Sequence, residues 1–312
     1  MISAEGSTRQ RKYTLKPIID QRFHFAISTD LQEDVVWRDY IRPLLDKIPP
    51  NVLDICHYGF TEMVNNVIDH SAGKMMSIHV IQTPKNIIFS ILDDGVGIFK
   101  KIQTELGLGD PSHAILELAK GKLTTDPIHH TGEGIFFTSR MFDRFSISSR
   151  NLYFAHNEII GYDWLLGFEE DDDGRREGTF LIMELSTIST RTAKEVFDKF
   201  SAENDDYGFT RTIVPVVLAK YGNENLISRS QAKRLLARLE KFREVILDFD
   251  KVETIGQAFA DEIFRVFQIK NPHINLMHIN ANDEVQKSIS RAIQNGISSP
   301  FSTEPAEQKT LF

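Results

Sequence analysis

The 312-residue sequence contains a single cysteine, Cys56. One thiol cannot close a disulfide within the chain, and it cannot supply a cluster of cysteine metal ligands. A secreted domain held together by internal disulfides and a zinc-finger type of site are therefore excluded. Because Cys56 also lies in an apolar stretch with helical periodicity, we expect a reducing compartment, the cytoplasm.

Long hydrophobic runs are also missing. Nowhere do 18 uncharged apolar residues follow one another, and residues 1–20 mix serine, arginine, glutamine and lysine without an apolar segment. A membrane-spanning helix needs about 20 apolar residues, and an export signal needs an apolar segment of its own. We therefore expect a cytoplasmic protein with no membrane partner.

An excess of positive charge is absent as well. The chain has 36 lysines and arginines against 44 aspartates and glutamates, which gives a net charge of −8. A net-acidic chain is poorly suited to the electrostatic attraction on which non-specific nucleic-acid binding depends. We expect no direct nucleic-acid partner, with a short basic segment over Arg9–Lys16 as the local exception.

Length and composition together predict two domains, since a domain has about 150 residues as a soft average. Residues 1–20 are predicted to be a flexible tail, and residues 21–190 the first domain. A polar segment over 191–207, in part helical, is predicted to link it to a second domain over 208–296. Residues 297–312 are polar and contain proline, so we expect a disordered tail.

The two domains differ in the order of their predicted elements. In the first, the strands Met75–Ile81 and Ile87–Leu92 flank a turn-rich segment of hairpin length and are expected to be antiparallel neighbours. In the second, strands and helices alternate from Thr212 to Gln294, which is typical of a small α/β sandwich. The expected fold class is α+β, with a second and smaller α/β domain.

A helix is predicted from about Asn51 to His70, and it carries two polar residues one turn apart, Glu62 and Asn66. The amide oxygen of Asn66 is a hard ligand that suits Mg²⁺. Glu62 would project to the same side, where it could orient or deprotonate a hydroxyl group or water. Taken alone, such a pair is more commonly a solvated stripe on a helix.

The strand ending near Leu92 runs into the sequence DDGVGI. A carboxylate at Asp93 can accept a hydrogen bond from the exocyclic amine of adenine, whereas guanine presents a carbonyl there and leaves two acceptors facing each other. Gly95 and Gly97 remove side chains where the backbone turns close to the base. The alternative is a hairpin turn, which fits poorly with the long segment that follows.

A second glycine pair, Gly132 and Gly134, precedes a helix that begins near Ile135. Amide groups at a helix N-terminus attract phosphate. The long segment between the two glycine pairs, Phe99–Thr131, is of the kind that forms a lid over a binding site. Glu133 departs from this picture, because a carboxylate in a phosphate loop repels the ligand unless it points outward.

Several basic residues of the lid lie near enough in sequence to offset phosphate charge. These residues are Lys120, Lys122, His129 and His130. The simpler interpretation is that all four lie on a solvated surface of the lid.

Taken in order, EMVNNVIDHS, DDGVGI and TGEGIFF resemble the N, G1 and G2 boxes of the GHKL ATPase superfamily, over residues 22–185. The spacing from Glu62 to Asn66 and the following His70-Ser71 resemble anti-sigma-factor serine kinases more than true histidine kinases. The resemblance implies a Bergerat-type ATP-binding α/β sandwich whose mobile lid closes over ATP and Mg²⁺. It also implies site residues: a catalytic base at Glu62, a magnesium ligand at Asn66, an adenine-binding Asp93, and loop glycines at Gly95, Gly97, Gly132 and Gly134.

The second domain carries a resemblance of its own. The run from Val245 to Phe267 is similar to STAS-like domains of uncharacterised function, over residues 208–296, and more distantly to anti-anti-sigma proteins. In the latter a phosphorylatable serine opens the helix, but here that stretch is Gly256-Gln257-Ala258. The nearest hydroxyl group belongs to Thr254, which we expect to be an ordinary surface residue, so a phosphorylation switch within the chain is not expected.

These patterns predict an ATP- and Mg²⁺-binding signalling protein that regulates a protein partner, as a serine/threonine kinase-like enzyme or an ATPase. The alternative is a non-catalytic, ATP-gated interaction switch. A true histidine kinase is disfavoured because no histidine followed by an acidic residue lies on a long heptad-patterned helix. A gyrase-like ATPase would need a transducer domain and a basic groove after residue 190. A homodimer is left open.

Overall fold

The computed structural model describes residues 2–5, 12–123, 132–158, 162–167, 177–201, 208–220 and 224–297. The strands are β1 (Ile2–Glu5), β2 (Lys12–Leu15), β3 (Ile19–Ala26), β4 (Met75–Gln82), β5 (Asn86–Asp93), β6 (Arg144–Ser149), β7 (Leu152–Asn157), β8 (Tyr162–Gly167), β9 (Phe180–Ser186), β10 (Arg211–Pro215), β11 (Glu244–Asp248) and β12 (Asn275–Ile279).

The α-helices are α1 (Glu33–Val36), α2 (Pro50–His70), α3 (Ile98–Leu106), α4 (His113–Lys120), α5 (Gly134–Met141), α6 (Ala193–Lys199), α7 (Arg229–Leu236), α8 (Gln257–Asp261), α9 (Gln268–Lys270) and α10 (Asp283–Ile297). Short π-helical turns follow α1 and α8, at Trp37–Ile41 and Glu262–Phe267.

The described strands form three sheets: a two-stranded antiparallel pair of β1 and β2, one large antiparallel sheet and one small parallel sheet. The large sheet has seven strands in the order β3-β4-β5-β9-β6-β7-β8, and the small sheet has three in the order β10-β11-β12. We call residues 16–201, which contain the large sheet, the N-terminal unit, and residues 208–297, which contain the small sheet, the C-terminal unit. The chain is thus of mixed α and β structure, as the element pattern predicts.

Helix α2 lies against the large sheet and is where the predicted helix falls. Pro50 occupies its first turn, where the missing N–H costs no hydrogen bond. Its apolar face is buried, including Phe60 and the lone Cys56. A β-carbon at Gly59 would lie 2.3 Å from Phe142 Cε2, so this glycine lets α2 approach the chain at the end of α5 closely.

The central strands alternate buried and more exposed residues, as one-sided sheets do. Ile78 on β4 pairs with Ile91 on β5, and the two strands run antiparallel. Their predicted pairing is therefore confirmed. The buried side chains of this face, such as Val80 and Phe89, form one core with α2.

Residues 1–20 do not match the predicted tail. β1 pairs with β2 in antiparallel register, and β3 begins at Ile19, before the predicted start of the domain at residue 21. Strands of four residues such as β1 and β2 are too short for a periodic pattern to predict them from the sequence.

The predicted lid, Phe99–Thr131, contains helix α4 and all of α3 but its first residue. Phe99 and Ile102 of α3 are buried, and α4 is buried along almost its whole length. The buried residues of α4 include polar Glu117 and Lys120, which break the apolar pattern in the sequence. Residues 124–131 of the segment lie outside the described part of the chain.

The predicted linker also contains a packed element. α6 begins at a capping box in which the side chain of Thr192 accepts from the backbone of Glu195. Its Phe197 packs edge-on against Tyr58 of α2, 5.5 Å between ring centroids. The helical part of the prediction is confirmed, and residues 202–207 lie outside the described part.

In the C-terminal unit, the predicted alternation of strands and helices is confirmed. Helix α7 ends at Leu236, and Arg238 adopts a left-handed backbone. At the end of the chain α10 extends to Ile297, and the remainder of the predicted disordered tail, residues 298–312, lies outside the described residues. In the part of the chain that is described, none of the helices combines the length and apolar character needed to cross a bilayer.

Candidate functional site

A cavity of about 390 Å³ lies between α2, the end of β5 and the start of α5. This volume falls within the roughly 300–1,000 Å³ typical of small-molecule sites. Its apolar walls come from both sheet and helices, and polar groups enter at its edges. The lining of the cavity includes Glu62, Asn66, His70, Ile91, Asp93, Gly97, Ile98, Lys101, Leu118, Leu123, Gly132, Glu133, Gly134, Ile147, Thr179 and Leu181.

Asp93 is the buried carboxylate of this cavity. It ends β5, and only 3% of the residue is exposed. One of its oxygens accepts a hydrogen bond from the backbone N–H of Gly95 at 2.8 Å. Burial raises the pKa of Asp93, and hydrogen bonds from Gly95 and Thr179 partly offset that rise. The carboxylate is therefore fixed in direction and set against apolar walls.

The turn after Asp93 is held by its neighbour Asp94. One oxygen of Asp94 accepts from the backbone N–H groups of Lys74 and Met75, at 2.6 and 2.9 Å. These hydrogen bonds lower the pKa of Asp94. The two adjacent aspartates thus differ in role. Asp94 hydrogen-bonds the turn to the start of β4, and Asp93 lines the cavity.

The two glycines of this turn are required for different reasons. A β-carbon at Gly95 would lie 2.1 Å from the backbone oxygen of Ser71, so any side chain there would push the turn away from the end of α2. Gly97 has φ of +85°, a conformation that favours glycine, and it precedes the first residue of α3.

Helix α2 brings Glu62 and Asn66 to the same cavity, one turn apart. The carboxylate of Glu62 packs over the first residue of α5, since a β-carbon at Gly134 would lie 2.1 Å from Glu62 Oε2. One turn before Glu62, burial raises the pKa of Tyr58, and the charges of Glu62 and Glu133 raise it further. Two acidic groups therefore share the end of the cavity at which α5 begins.

Glu133 immediately precedes α5, and it lines the cavity beside Gly132 and Gly134. A carboxylate at this position repels an anionic ligand unless it points outward. Together with Glu62 and Asp93, it makes this cavity rich in negative charge. An anion entering it would need cations of its own or from the protein.

The structure brings six of the seven predicted site residues into one cavity: Glu62, Asn66, Asp93, Gly97, Gly132 and Gly134. The seventh, Gly95, does not line the cavity, but it hydrogen-bonds the carboxylate of Asp93.

The basic residues of the predicted lid have a different arrangement from the one expected. Lys120 is not on a solvated surface, because its side chain is only 1% exposed. The ammonium group of Lys122 donates to the backbone oxygen of Lys241 at 3.0 Å. His129 and His130 lie outside the described residues.

Two residues of the cavity were missed by sequence reasoning. Thr179 precedes β9, and its hydroxyl accepts from the backbone N–H of Ile98 at 3.1 Å, which ties the start of α3 to the sheet. Lys101 lies one turn after Ile98, and its ammonium group donates to the backbone oxygen of His70 at 2.9 Å. The spacing of Ile98 and Lys101 on one helix face was the available signal for the lysine.

A metal ion at this site would need ligands from water or a bound phosphate in addition to those of the protein. Within the described ranges, no three or more histidine, cysteine, aspartate and glutamate side chains form a group that could hold one. Asn66 offers one neutral amide oxygen in the cavity, and Mg²⁺ commonly takes one or two protein ligands while water and phosphate oxygens supply the rest. The residues present therefore fit a magnesium ion that arrives with a phosphate ligand.

Comparison with known proteins bears on the C-terminal unit. Residues 231–286 match the family described as a STAS-like domain of unknown function (DUF4325). This is the resemblance that the run from Val245 to Phe267 predicts. Among the curated proteins, none matches the chain significantly.

Proposed function

We propose that the N-terminal unit is a GHKL-type, Bergerat-fold domain that binds ATP with Mg²⁺, and that the protein uses it to regulate a partner protein. The observation that carries this proposal is the convergence of Glu62, Asn66, Asp93 and the glycines on one cavity. These residues come from three separate sequence motifs, up to 72 positions apart between Glu62 and Gly134.

Each group has a task in nucleotide binding. The buried carboxylate of Asp93 accepts from the exocyclic amine of adenine, with the apolar walls at Ile91 and Leu181 around the base. The backbone amides at Gly132 and Gly134 face the phosphates at the start of α5. Asn66 would hold the magnesium ion, whose charge would offset those of the carboxylates in the cavity.

Glu62 is the group that would make this site an enzyme. Its carboxylate lies at the start of α5, beside the glycines that would hold the phosphates. There it would accept the proton of an attacking hydroxyl group, in a kinase-like transfer to serine or threonine, or of water in hydrolysis. The acceptor would be on another protein, since Gly256-Gln257-Ala258 offers no hydroxyl group at the start of α8.

A second candidate function is a nucleotide-gated switch without turnover. It is favoured by the position of α4, whose Leu118 lines the cavity while its Glu117 and Lys120 contact the C-terminal unit. In this case ATP would change the surface that the two units offer to a partner, and Glu62 would have a binding role only.

The test of nucleotide binding is isothermal titration of the full chain with ATP and GTP, with and without Mg²⁺. We expect ATP to bind with Mg²⁺ and GTP to bind at least tenfold more weakly, because guanine presents an acceptor to Asp93. Equal affinity for the two nucleotides, or no binding, would remove the proposal.

The test of catalysis is Glu62→Gln. We expect turnover to fall by roughly 10²- to 10⁴-fold, as for loss of a general base, while ATP affinity changes little. Asp54→Asn is a matched control, because Asp54 is an exposed carboxylate on the same helix and does not line the cavity. If the wild type binds ATP but shows no turnover with its partner present, the switch is the correct function.

A further inference from the structure

Helix α4 belongs to the wall of the cavity and also to the interface between the two units. Leu118 lines the cavity, and so does Leu123, just after the helix. Leu123 donates its backbone N–H to the oxygen of Gly132 at 3.1 Å, which joins the end of α4 to the glycine pair before α5. A displacement of α4 would therefore move the backbone at Gly132, where the phosphates are proposed to bind.

On its other side, α4 is held by the C-terminal unit through Lys120. The ammonium group of Lys120 donates to the backbone oxygens of Arg234 and Ala237, at 3.0 and 2.9 Å. These two carbonyl groups lie at the C-terminal end of α7. Carbonyl groups at a helix C-terminus have no hydrogen-bond partner within the helix. A lysine of one unit thus caps a helix of the other, with its charge at the favourable end of the helix dipole.

The charge of Lys120 is balanced inside the same interface. Glu117, one turn earlier on α4, accepts from the ammonium group at 3.0 Å, and it also pairs with Arg238, just after α7. The side chains of Lys120 and Glu117 are 1% and 3% exposed. Burial lowers the pKa of Lys120 to about 8, while Glu117 opposes that change. Buried charges of this kind are costly to separate from their partners.

Further contacts surround this charged group. The hydroxyl group of Thr212 on β10 donates to the backbone oxygen of Lys120 at 2.7 Å. At the other end of α4, the ring of His113 contacts the guanidinium group of Arg234. After α4, Lys122 lies over the ring of Phe242, 4.8 Å from its centroid. The helix is therefore attached to the C-terminal unit at both ends.

We propose that the C-terminal unit senses the state of the nucleotide cavity through α4, by means of the buried group Glu117–Lys120–Arg238. This inference rests on the proposed function, because it assumes that ATP occupies the cavity. Since such coupling is reciprocal, a partner that binds the C-terminal unit and shifts α7 would change ATP affinity by the same factor as ATP changes partner affinity.

The competing explanation is a rigid interface that transmits nothing. It differs from the proposal in one measurable respect, the response of α7 to nucleotide. Residues 229–241 do not line the cavity, so a ligand there slows their exchange more than that of the rest of the C-terminal unit only if the effect passes through the interface.

The experiment is amide hydrogen exchange on the full chain, with and without a non-hydrolysable ATP analogue and Mg²⁺, after titration has measured binding. We expect bound nucleotide to slow exchange in residues 229–241 by threefold or more. In Arg238→Gln this change should disappear, whereas Arg238→Lys should keep part of it. Lys233→Gln is the matched control, because it removes the charge of an exposed residue on the same helix.

The outcomes separate the two proposals. If the wild type does not bind the analogue, the proposed function fails, and the coupling fails with it. If it binds and residues 229–241 exchange at the same rate in both states, the coupling alone is wrong. Equal responses in Arg238→Gln and Lys233→Gln would also contradict it. Should Arg238→Gln not fold, as judged by circular dichroism, the wild-type comparison still decides.

Discussion

Both units end a central strand on an aspartate that caps the following turn, and of the two only Asp93 lines the candidate cavity. Asp93 at the end of β5 accepts from the N–H of Gly95 at 2.8 Å, and Asp248 at the end of β11 accepts from the N–H of Asp250 at 3.0 Å. Asp248 also accepts from the amide group of Asn280, at 2.9 Å.

What differs is the surroundings. Asp248 is partly exposed, and it accepts a hydrogen bond from Asn280, which follows the neighbouring strand β12. Its carboxylate therefore stabilises the small sheet. Asp93 is buried against apolar walls, and burial raises its pKa. The same local turn is thus structural in one unit and available for recognition in the other. The comparison teaches that the surroundings of a motif, and not the motif alone, indicate its function.

The largest expected effect comes from changing the two aspartates in parallel. In Asp93→Asn, one acceptor oxygen becomes a donor and the charge is lost, so we expect ATP affinity to fall by about 10- to 100-fold. In Asp248→Asn, ATP affinity should stay within about twofold. Titration of both variants with ATP checks this. Equal losses of ATP affinity would show that Asp93 has no special role in nucleotide binding.

A smaller effect is expected at Lys101. Lys101 lines the cavity, where a charge-assisted hydrogen bond from its ammonium group to a phosphate would contribute about 1.5 kcal/mol, so Lys101→Gln should weaken ATP binding about tenfold. The preceding Lys100 is exposed and contacts Gln103. Lys100→Gln should bind ATP as the wild type does. A loss that is the same for adenosine as for ATP would assign Lys101 to the base and not to the phosphates.

The pH dependence of binding sharpens the role of Asp93. Its pKa lies above the ordinary value, so the carboxylate is protonated at a higher pH than an exposed aspartate, whose pKa is near 3.9. Since adenine recognition needs the ionised form, ATP affinity should hold at neutral pH and fall on acidification, beginning at a higher pH than an exposed aspartate would require. Titrations from neutral to acidic pH check it. Asp93→Asn, which cannot titrate, should lack the step.

The smallest expected effect is a gain. Glu133 adds a negative charge beside the proposed phosphate loop, so Glu133→Gln should tighten ATP binding by about two- to fivefold, as for a partly screened charge. The gain should shrink at high salt. Glu195→Gln, in the capping box of α6, controls for the loss of one charge elsewhere. Weaker binding in Glu133→Gln would instead indicate that Glu133 contributes to holding the magnesium ion.

Much of the fold could be predicted because the hydrophobic periodicity is strong where elements pack on one face. Helix α2 and the pair β4 and β5 fall within a residue or two of their predicted bounds. The six cavity residues were predicted from motif order, since strand ends and helix starts next to glycines are local features. Their roles in binding and catalysis stay predictions.

The rest depends on tertiary contacts that no local pattern carries. Lys120 belongs to a segment with the composition of a solvated lid, and only its partners on α7 explain its burial. Thr179 reaches the cavity by the pairing of β9 with β5, which are 86 positions apart at Asp93 and Thr179. The helical content of the lid was missed because its glycines and charged residues outweigh a short apolar pattern.

The lone cysteine offers a practical consequence. Cys56 lies in the core of α2, and burial raises the pKa of its thiol, so thiol-directed reagents should leave it unmodified while the protein is folded. Cysteines introduced at exposed positions could then carry spectroscopic labels without background. Labels on cysteines that replace Lys100 and Lys233 would report the distance between the two units as nucleotide is added. Cys56 would not first have to be replaced.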